Sequence, residues 1–333
     1  MLLGVTPIVT LDDIRAAQTR IRDVAVRTPL LSVPVHEMKQ AANPELWQLW
    51  AKPENLQPIG AFKLRGAYNK IASLPEEERK RGVISYSSGN HAQGVAYAAR
   101  ALGLKAVIVM PSNAPAIKRE GTAALGAEIV TVGPGSEERQ LKAEELAAAH
   151  GYAMVPPYND EMIIAGQGTM GLEILEDLPD VETVLVPVGG GGMISGVAAA
   201  LKLGATHRVN VIGVEPEFAA DARDSFRAGH LVRWTAEQIT RTLADGLRTQ
   251  SLGDITFAHI QLFVDDIVTV NEDEIREAVR RLSVNPKLAA EPSGAVAVAA
   301  FLFHRVELPQ TTKNVAVVSG GNIDPALKAE ICG

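Results

Sequence analysis

TVLVPVGGGGMISGVAAALK, residues 183–202, joins an unbroken apolar run to a helix-forming one through four consecutive glycines. The first part reads as a strand buried on both faces, and ISGVAAALK (194–202) as a helix. Glycine inside an element costs about 1 kcal/mol relative to alanine. Four in a row therefore call for something that needs bare backbone N–H groups. Such groups at a helix N-terminus converge on a negative charge, usually a phosphate. The Walker pattern is excluded because no Gly-Lys-Ser/Thr follows. The dinucleotide pattern G-x-G-x-x-G also fails: counted from Gly189 it meets Ile194, and from Gly190 it meets Ser195. Glu215, ending the next strand-like run, stands where dinucleotide folds keep a ribose-binding acid, yet the glycine spacing does not support that use. A ligand-free turn accounts for one or two glycines and poorly for four. The expectation is a phosphate other than a dinucleotide's.

The same strand form recurs in KAVIVM (105–110), VNVIGVE (209–215) and NVAVVSG (314–320), with a helical pattern over 141–150. Continuous Val/Ile runs separated by helices mean parallel strands covered on both faces, so the fold class is α/β. GPGSEERQ (133–140) reads as a loop, and PPYND (156–160) as a crossing between lobes. At 333 residues the chain has room for two domains or one large layered one. The net charge of −7 offers no basic surface for nucleic acid or anionic lipid. Cys332 is the single cysteine and can form no internal disulfide, which points to a reducing compartment. The start, MLLGVTPIVTLDDIRAA, lacks the form of a signal peptide, and AVAVAAFLF (295–303) is too short to span a bilayer. A cytoplasmic protein is expected.

Three further stretches carry chemistry. In NLQPIGAFKLRGAYNKI (55–71), Lys63 has apolar neighbours, with Gly66 and Ala67 three and four residues on. Small residues there are expected to leave room beside the ammonium for a flat group. The apolar setting disfavours the charged amine, as a Schiff-base lysine requires. Taken alone, a snorkelling lysine on an amphipathic helix is the better reading. SYSSGNHAQGVAYAARALG (85–103) crowds hydroxyls and amides on a glycine turn that opens a helix, an anion site suited to a carboxylate. By itself Ser88 reads as a helix cap and His91 as a surface histidine. NVAVVSGGNIDPALK (314–328) ends a strand at Ser319, and Asp324 with Pro325 reads as an N-cap followed by a first helical residue.

Together these stretches resemble, in content and order, the fold-type II pyridoxal-phosphate enzymes of the serine/threonine dehydratase and serine racemase group. The resemblance runs from RTPLL (27–31) to SGGNID (319–324). It implies two open, twisted, mostly parallel sheets with helices on both faces. It also implies a large cofactor-binding domain (1–72 and 161–333) and a small domain (73–160) that closes over the substrate. Lys63 is then the lysine that carries pyridoxal 5'-phosphate, with Phe62 near its ring. Asn90 bonds the ring hydroxyl, Gly189, Gly190, Gly191, Gly192 and Met193 cradle the phosphate, and Ser319 faces the pyridine nitrogen. A neutral serine there makes the ring a weaker electron sink, which suits elimination better than transamination. Ser87, Ser88, Gly89, Asn90 and His91 hold the carboxylate of a small amino-acid substrate. A β-hydroxy amino acid such as L-threonine or L-serine loses its Cα proton to Lys63 and its β-hydroxyl, ending as a 2-oxo acid and ammonia.

The lysine motif departs from the common T-G-S-F-K of the group, reading Ile59-Gly60-Ala61-Phe62-Lys63. Since the sequence stops soon after SGGNID, the regulatory domain that biosynthetic threonine dehydratases carry is not expected. Ser88 matches serine racemases and hydroxyaspartate dehydratases, where simple catabolic threonine dehydratases have alanine. Across the cofactor from Lys63 it can exchange a proton on the other face of Cα. In EPEFAAD (215–221), Glu215, the carbonyl of Ala219 and Asp221 match that subgroup's divalent-cation site. An oxygen-only shell suits Mg2+ or Ca2+ in a structural role. The resemblance further implies a homodimer or homotetramer. The competing classes are a nucleotide-binding oxidoreductase and a catalytically silent ligand-binding relative.

Overall fold

The computed structural model describes residues 9–34, 47–133 and 135–333. The first eight residues of the MLLGVTPIVTLDDIRAA stretch and Pro134, in the 133–140 stretch, lie outside the described residues. Among the described residues, ten strands form two sheets: β1 (Leu31–Val33), β2 (Gln48–Pro53), β3 (Val83–Tyr86), β4 (Ala106–Pro111), β5 (Glu128–Val132), β6 (Ala153–Met154), β7 (Thr183–Pro187), β8 (Asn210–Pro216), β9 (Asp266–Val270) and β10 (Lys313–Val318). The larger sheet has the order β1-β2-β10-β7-β8-β9, parallel except for β1 against β2. The smaller, β5-β4-β3-β6, is parallel throughout. The expected α/β class with two mostly parallel sheets is what the molecule has. The four Val/Ile runs read from sequence are β4, β7, β8 and β10, and they are buried on both faces as that pattern requires.

Helices cover the sheets. In chain order they are α1 (Leu11–Ile21), α2 (Lys63–Ser73), α3 (Glu76–Arg81), α4 (Asn90–Ala101), α5 (Ala116–Ala124), α6 (Ser136–His150) and α7 (Glu161–Asp177). They continue with α8 (Gly192–Gly204), α9 (Asp221–Ala228), α10 (Ala236–Ile239), α11 (Asp254–Phe263), α12 (Glu272–Leu282), α13 (Pro292–Phe303) and α14 (Pro325–Cys332). Asp324 caps α14, accepting from the Ala326 and Leu327 N–H groups at 2.9 and 3.3 Å, with Pro325 in the first turn as expected. GPGSEERQ differs from its reading as a loop: α6 begins at Ser136. Glu137 and Glu138 sit in its first turn, where they favour the positive end of the helix dipole. Among the described residues no helix is long and apolar enough to cross a membrane.

Helix α7 is the piece that positions the rest. Its sequence AGQGTMG brings backbone against backbone on two sides. A Cβ on Gly166 would lie 2.6 Å from Gly66 Cα in α2, and one on Gly168 would lie 2.9 Å from the Gly196 carbonyl in α8. Gly196 in turn would meet the Ile164 carbonyl at 2.2 Å. This corrects one expectation: Gly66 leaves no room beside Lys63, because its bare face is filled by α7 and Gln167. The same α2 is anchored by a buried ionic cluster. Arg65 Nε donates to Glu54 at 2.8 Å and its Nη1 to Glu173 at 2.7 Å, while Lys52 Nζ donates to Glu173 at 2.6 Å.

If those bare-backbone contacts set the helix spacing, Gly166→Ala should destabilise the protein. Overpacking costs about 1–3 kcal/mol, which outweighs the roughly 1 kcal/mol that alanine gains in helix propensity. Denaturant unfolding of the two proteins checks this. An unchanged midpoint would show that α7 can shift to make room.

Candidate active site

A cavity of about 560 Å³ opens beyond the C-terminal ends of β3, β7 and β10, the end at which open parallel sheets bind ligands. It is lined by Phe62 and Lys63, by Ser87, Ser88, Gly89, Asn90 and His91, by Gly189 to Met193, and by Ser319. These stretches lie up to 257 residues apart, and the two sheets bring them to one place.

Lys63 opens α2, and its ammonium donates to the Pro157 carbonyl at 2.7 Å and lies 5.1 Å from the Phe62 ring centroid. Desolvation by burial pulls its pKa down to about 8. A neutral, nucleophilic amine is therefore accessible near neutrality.

The glycine run forms the opposite wall. Gly191, at φ +90, is the N-cap of α8, a conformation that favours glycine. Among the described residues, no acceptor in the chain takes the N–H groups of Gly189, Gly190, Gly191, Gly192 or Met193. Together with the N-terminus of α8 they present a built anion cradle. The glycines also have a second reason. A Cβ on Gly190 would lie 2.2 Å from the Tyr158 ring, and one on Gly192 would lie 3.0 Å from Tyr158 Cα. Packing thus explains more of the run than the sequence reading allowed.

The serine loop opens α4. The N–H groups of Ser88, Asn90 and His91 likewise have no acceptor among the described residues. His91 is buried, unlike the surface histidine that its motif alone suggested. Its Nε2 lies 3.0 Å from the Val155 carbonyl, so that nitrogen carries the proton, and Nδ1 has no partner. Burial, with the charge of Lys63 as a smaller contribution, lowers its pKa to about 3. A neutral His91 cannot supply charge to a carboxylate, so the backbone and hydroxyl donors must. Asn90 donates from Nδ2 to Glu291 Oε1 and accepts from Asn322 at 2.9 Å. Ser319 is buried, with its hydroxyl 3.4 Å from the Ser293 carbonyl.

Several lining residues were not singled out by sequence reasoning: Tyr158, Lys118, Asp245, Glu291 and Thr249. Lys118, in α5, is buried between Asp245 (2.7 Å) and Glu291 (2.9 Å). Burial disfavours its charge, and the two acids more than offset that, so its pKa is raised. Glu291 was legible in one respect. It occupies the N-cap of α13 without capping it, a position where serine, threonine, aspartate or asparagine is usual.

Glu215, Ala219 and Asp221 lie elsewhere, where β8 passes into α9, and none lines the cavity. Glu215 is buried and accepts from the Ala222 and Arg223 N–H groups at 3.1 and 2.7 Å. That burial removes it from any ribose and with it the support for an oxidoreductase. Asp221 is buried with neither carboxylate oxygen partnered. Desolvation raises its pKa to about 8, and Glu215 is raised well above its usual value by burial and by Asp221. No group of three or more His, Cys, Asp or Glu side chains able to hold a metal occurs among the described residues.

Residues 21–320 match the family of pyridoxal-phosphate dependent enzymes. The chain is similar to the L-threonine ammonia-lyase of Thermotoga maritima, 47% identical over 317 residues that cover 95% of this chain and 76% of that protein. It is 40% identical to the L-threo-3-hydroxyaspartate ammonia-lyase of Saccharomyces cerevisiae, over 95% of this chain and 94% of that one. The structure of maize serine racemase superposes with a TM-score of 0.89 at 37% identity, covering 97% of this chain and 96% of that one.

The Lys63 environment has a direct consequence. A lysine is nucleophilic only above its pKa, so a depressed pKa moves reactivity to lower pH. In the ligand-free chain, acetylation of Lys63 should have a midpoint near pH 8, against about 10.4 for unperturbed lysines. Peptide mapping across a pH series measures both at once. Lys63 titrating together with the exposed lysines would contradict the desolvated setting.

Proposed function

The chain belongs to the pyridoxal-phosphate-dependent enzymes, and on that premise we propose that it releases ammonia from a β-hydroxy amino acid of the L-threonine or L-serine type, leaving a 2-oxo acid. The carrying observation is one cavity that joins a desolvated lysine to five backbone N–H groups without acceptors among the described residues. These fit the group. Lys63 would hold pyridoxal phosphate covalently, Gly189 to Met193 its phosphate, Phe62 and Asn90 its ring and ring hydroxyl, and Ser319 its ring nitrogen. When bound, the cofactor supplies an electron sink that acidifies the Cα–H bond of an attached amino acid.

The chain's own residues do the rest. The N–H groups of Ser88, Asn90 and His91, with the hydroxyls of Ser87 and Ser88, bind the substrate carboxylate. Lys63 Nζ, released as a free amine once the substrate's amine has taken its place, would take the Cα proton. The hydroxyl then leaves with a proton, and hydrolysis of the resulting enamine gives oxo acid and ammonia. Residues 73–160 are read as a small domain closing over a larger one built from 1–72 and 161–333. The same resemblance supports a homodimer or homotetramer, and the lone Cys332 supports a reducing, cytoplasmic setting.

A second activity is supported by Ser88, whose hydroxyl lines the same cavity with no partner among the described residues. A proton donor on the face opposite Lys63 would allow racemisation. One experiment addresses both readings. Borohydride reduction and peptide mapping should place the pyridoxyl adduct on Lys63, and L-threonine, L-serine and L-threo-3-hydroxyaspartate are scored for oxo-acid release. Ser88→Ala should lower any racemisation and D-substrate turnover by about 100-fold or more, the scale of general acid–base catalysis. L-Dehydration should fall about tenfold or less, since only the loss of one loop donor is involved. An adduct on another lysine, or no oxo acid from any of the three, would overturn the proposal. Equal collapse of both activities would make Ser88 a carboxylate anchor instead.

The cation site is a further part of the proposal. Two buried carboxylates with raised pKa values, one wholly unpartnered, fit a divalent cation that neutralises both. Ala219, also buried, adds a carbonyl with no donor among the described residues. Chelation should then lower thermal stability, and Mg2+ or Ca2+ should restore it. A site held at 100 times its Kd contributes about 2.7 kcal/mol. An unchanged melting curve with no metal in elemental analysis would leave Glu215 and Asp221 as protonated core acids.

A further inference from the structure

Lys118 stands apart from the other cavity residues because it touches the substrate loop and the larger sheet's side of the cavity at once. It is 2% exposed, on the α5 helix that packs against α4. Its aliphatic stem lies under the loop: a Cβ on Gly89 would come within 2.7 Å of Lys118 Cδ. Gly89 is therefore seated directly on this side chain. The ammonium reaches across to the larger sheet's side of the cavity. There it meets Asp245, in the turn Asp245–Leu247, and Glu291, at the start of α13. Glu291 accepts from Asn90 Nδ2 with its other oxygen, so the second contact returns to the same loop. Glu291 is itself fixed, since its N–H donates to the Gly320 carbonyl at 3.0 Å.

We propose that Lys118 is a positioning residue for the substrate loop: its stem supports Gly89, and its ammonium locks Glu291 and through it Asn90. The loop is thereby held at a set distance from Lys63 and the glycine cradle. A buried ammonium shared by two carboxylates is a rigid fixture, because removing it leaves uncompensated charge. Its flexible stem is immobilised by Gly89, so the order is transmitted to the backbone that carries the unpaired N–H groups of Ser88, Asn90 and His91. The proposal rests on reading that loop as the carboxylate-binding element of an ammonia-lyase.

The test compares wild type, Lys118→Met and Lys118→Arg. Hydrogen exchange of the ligand-free protein is read at the hydrogen-bonded amides of the loop, Ser87, Gly89 and Gln93, and, as a reference, over β7 and β10. Lys118→Met should speed exchange of the loop at least tenfold and leave the reference strands unchanged. With pyridoxal phosphate bound, KM for L-threonine should rise tenfold or more while kcat falls less than threefold, because the carboxylate contacts are lost before the proton-transfer geometry at Lys63. Lys118→Arg, which keeps the charge, should recover much of both effects. If Lys118→Met does not fold, Lys118→Met with Glu291→Gln removes the fully buried one of the two stranded charges, leaving the part-exposed Asp245, and the loop's exchange is read in that variant.

Loop exchange as slow as wild type in a folded Lys118→Met or double variant overturns the proposal. So does acceleration spread evenly over loop and reference strands, which would make Lys118 merely a stability element. Failure of the ammonia-lyase reading is separate. It shows as a wild type that forms no oxo acid, while loop exchange still decides the positioning role.

Discussion

The close approach of α2 and α8 to the two sides of α7 is the constraint on which the site depends. Lys63 begins α2, and the anion cradle begins α8. Their separation is set where Gly66 meets Gly166 and where Gly168 meets Gly196, with no side chain between. Backbone contacts of that kind are less forgiving than side-chain packing, since neither partner has a rotamer to change. The two reactive ends are thus placed by three helices packed as one block, and the intervening chain needs only to leave and return.

Charge is distributed in keeping with that division. Away from the cavity, Arg65, Glu54, Glu173 and Lys52 neutralise one another inside the protein. Breaking such a buried pair costs about 3–5 kcal/mol, a large share of the roughly 5–15 kcal/mol that stabilises a domain. Arg65 lies two residues beyond Lys63, and i and i+2 face different sides of a helix. The first turn of α2 is therefore held by ions on one side while its other side stays apolar. Lys63 gains no carboxylate partner among the described residues, and burial alone moves its pKa. Had Glu54 or Glu173 reached Lys63, its pKa would have risen and the free amine would have become scarce at neutral pH.

The strands were legible because parallel strands buried on both faces leave nearly continuous Val/Ile runs, as in β4, β7, β8 and β10. The short edge pieces β1 and β6 carry no such run. The start of α6 was hidden for a related reason, as SEERQ holds no apolar residue to show a period. Stretches that line the cavity were legible where the residues are consecutive in the chain, as at Ser87–His91 and Gly189–Met193. Lys118 and Asp245 were not, and Glu291 only as an unusual N-cap, because their meaning is a contact between residues 127 and 173 positions apart. His91 illustrates the remaining gap: its motif pointed to a site, but whether it is charged depends on burial, which sequence spacing does not encode.

By spacing alone the four glycines serve a ligand, and their surroundings show why ligand and packing demands coincide. An anion can approach successive N–H groups only if no Cβ stands in front of them. The backs of the same residues are then bare as well, and something must fill that space if the wall is not to contain a void. Tyr158 does so at Gly190 and Gly192, while Leu252 and Thr256 do so at Gly191. Thr256 also donates to the Gly190 carbonyl at 2.8 Å, which fixes the peptide whose N–H groups point the other way. The cradle is thus held in shape from behind before any anion arrives. A glycine-rich loop that would otherwise lose much conformational entropy on binding has already lost it on folding.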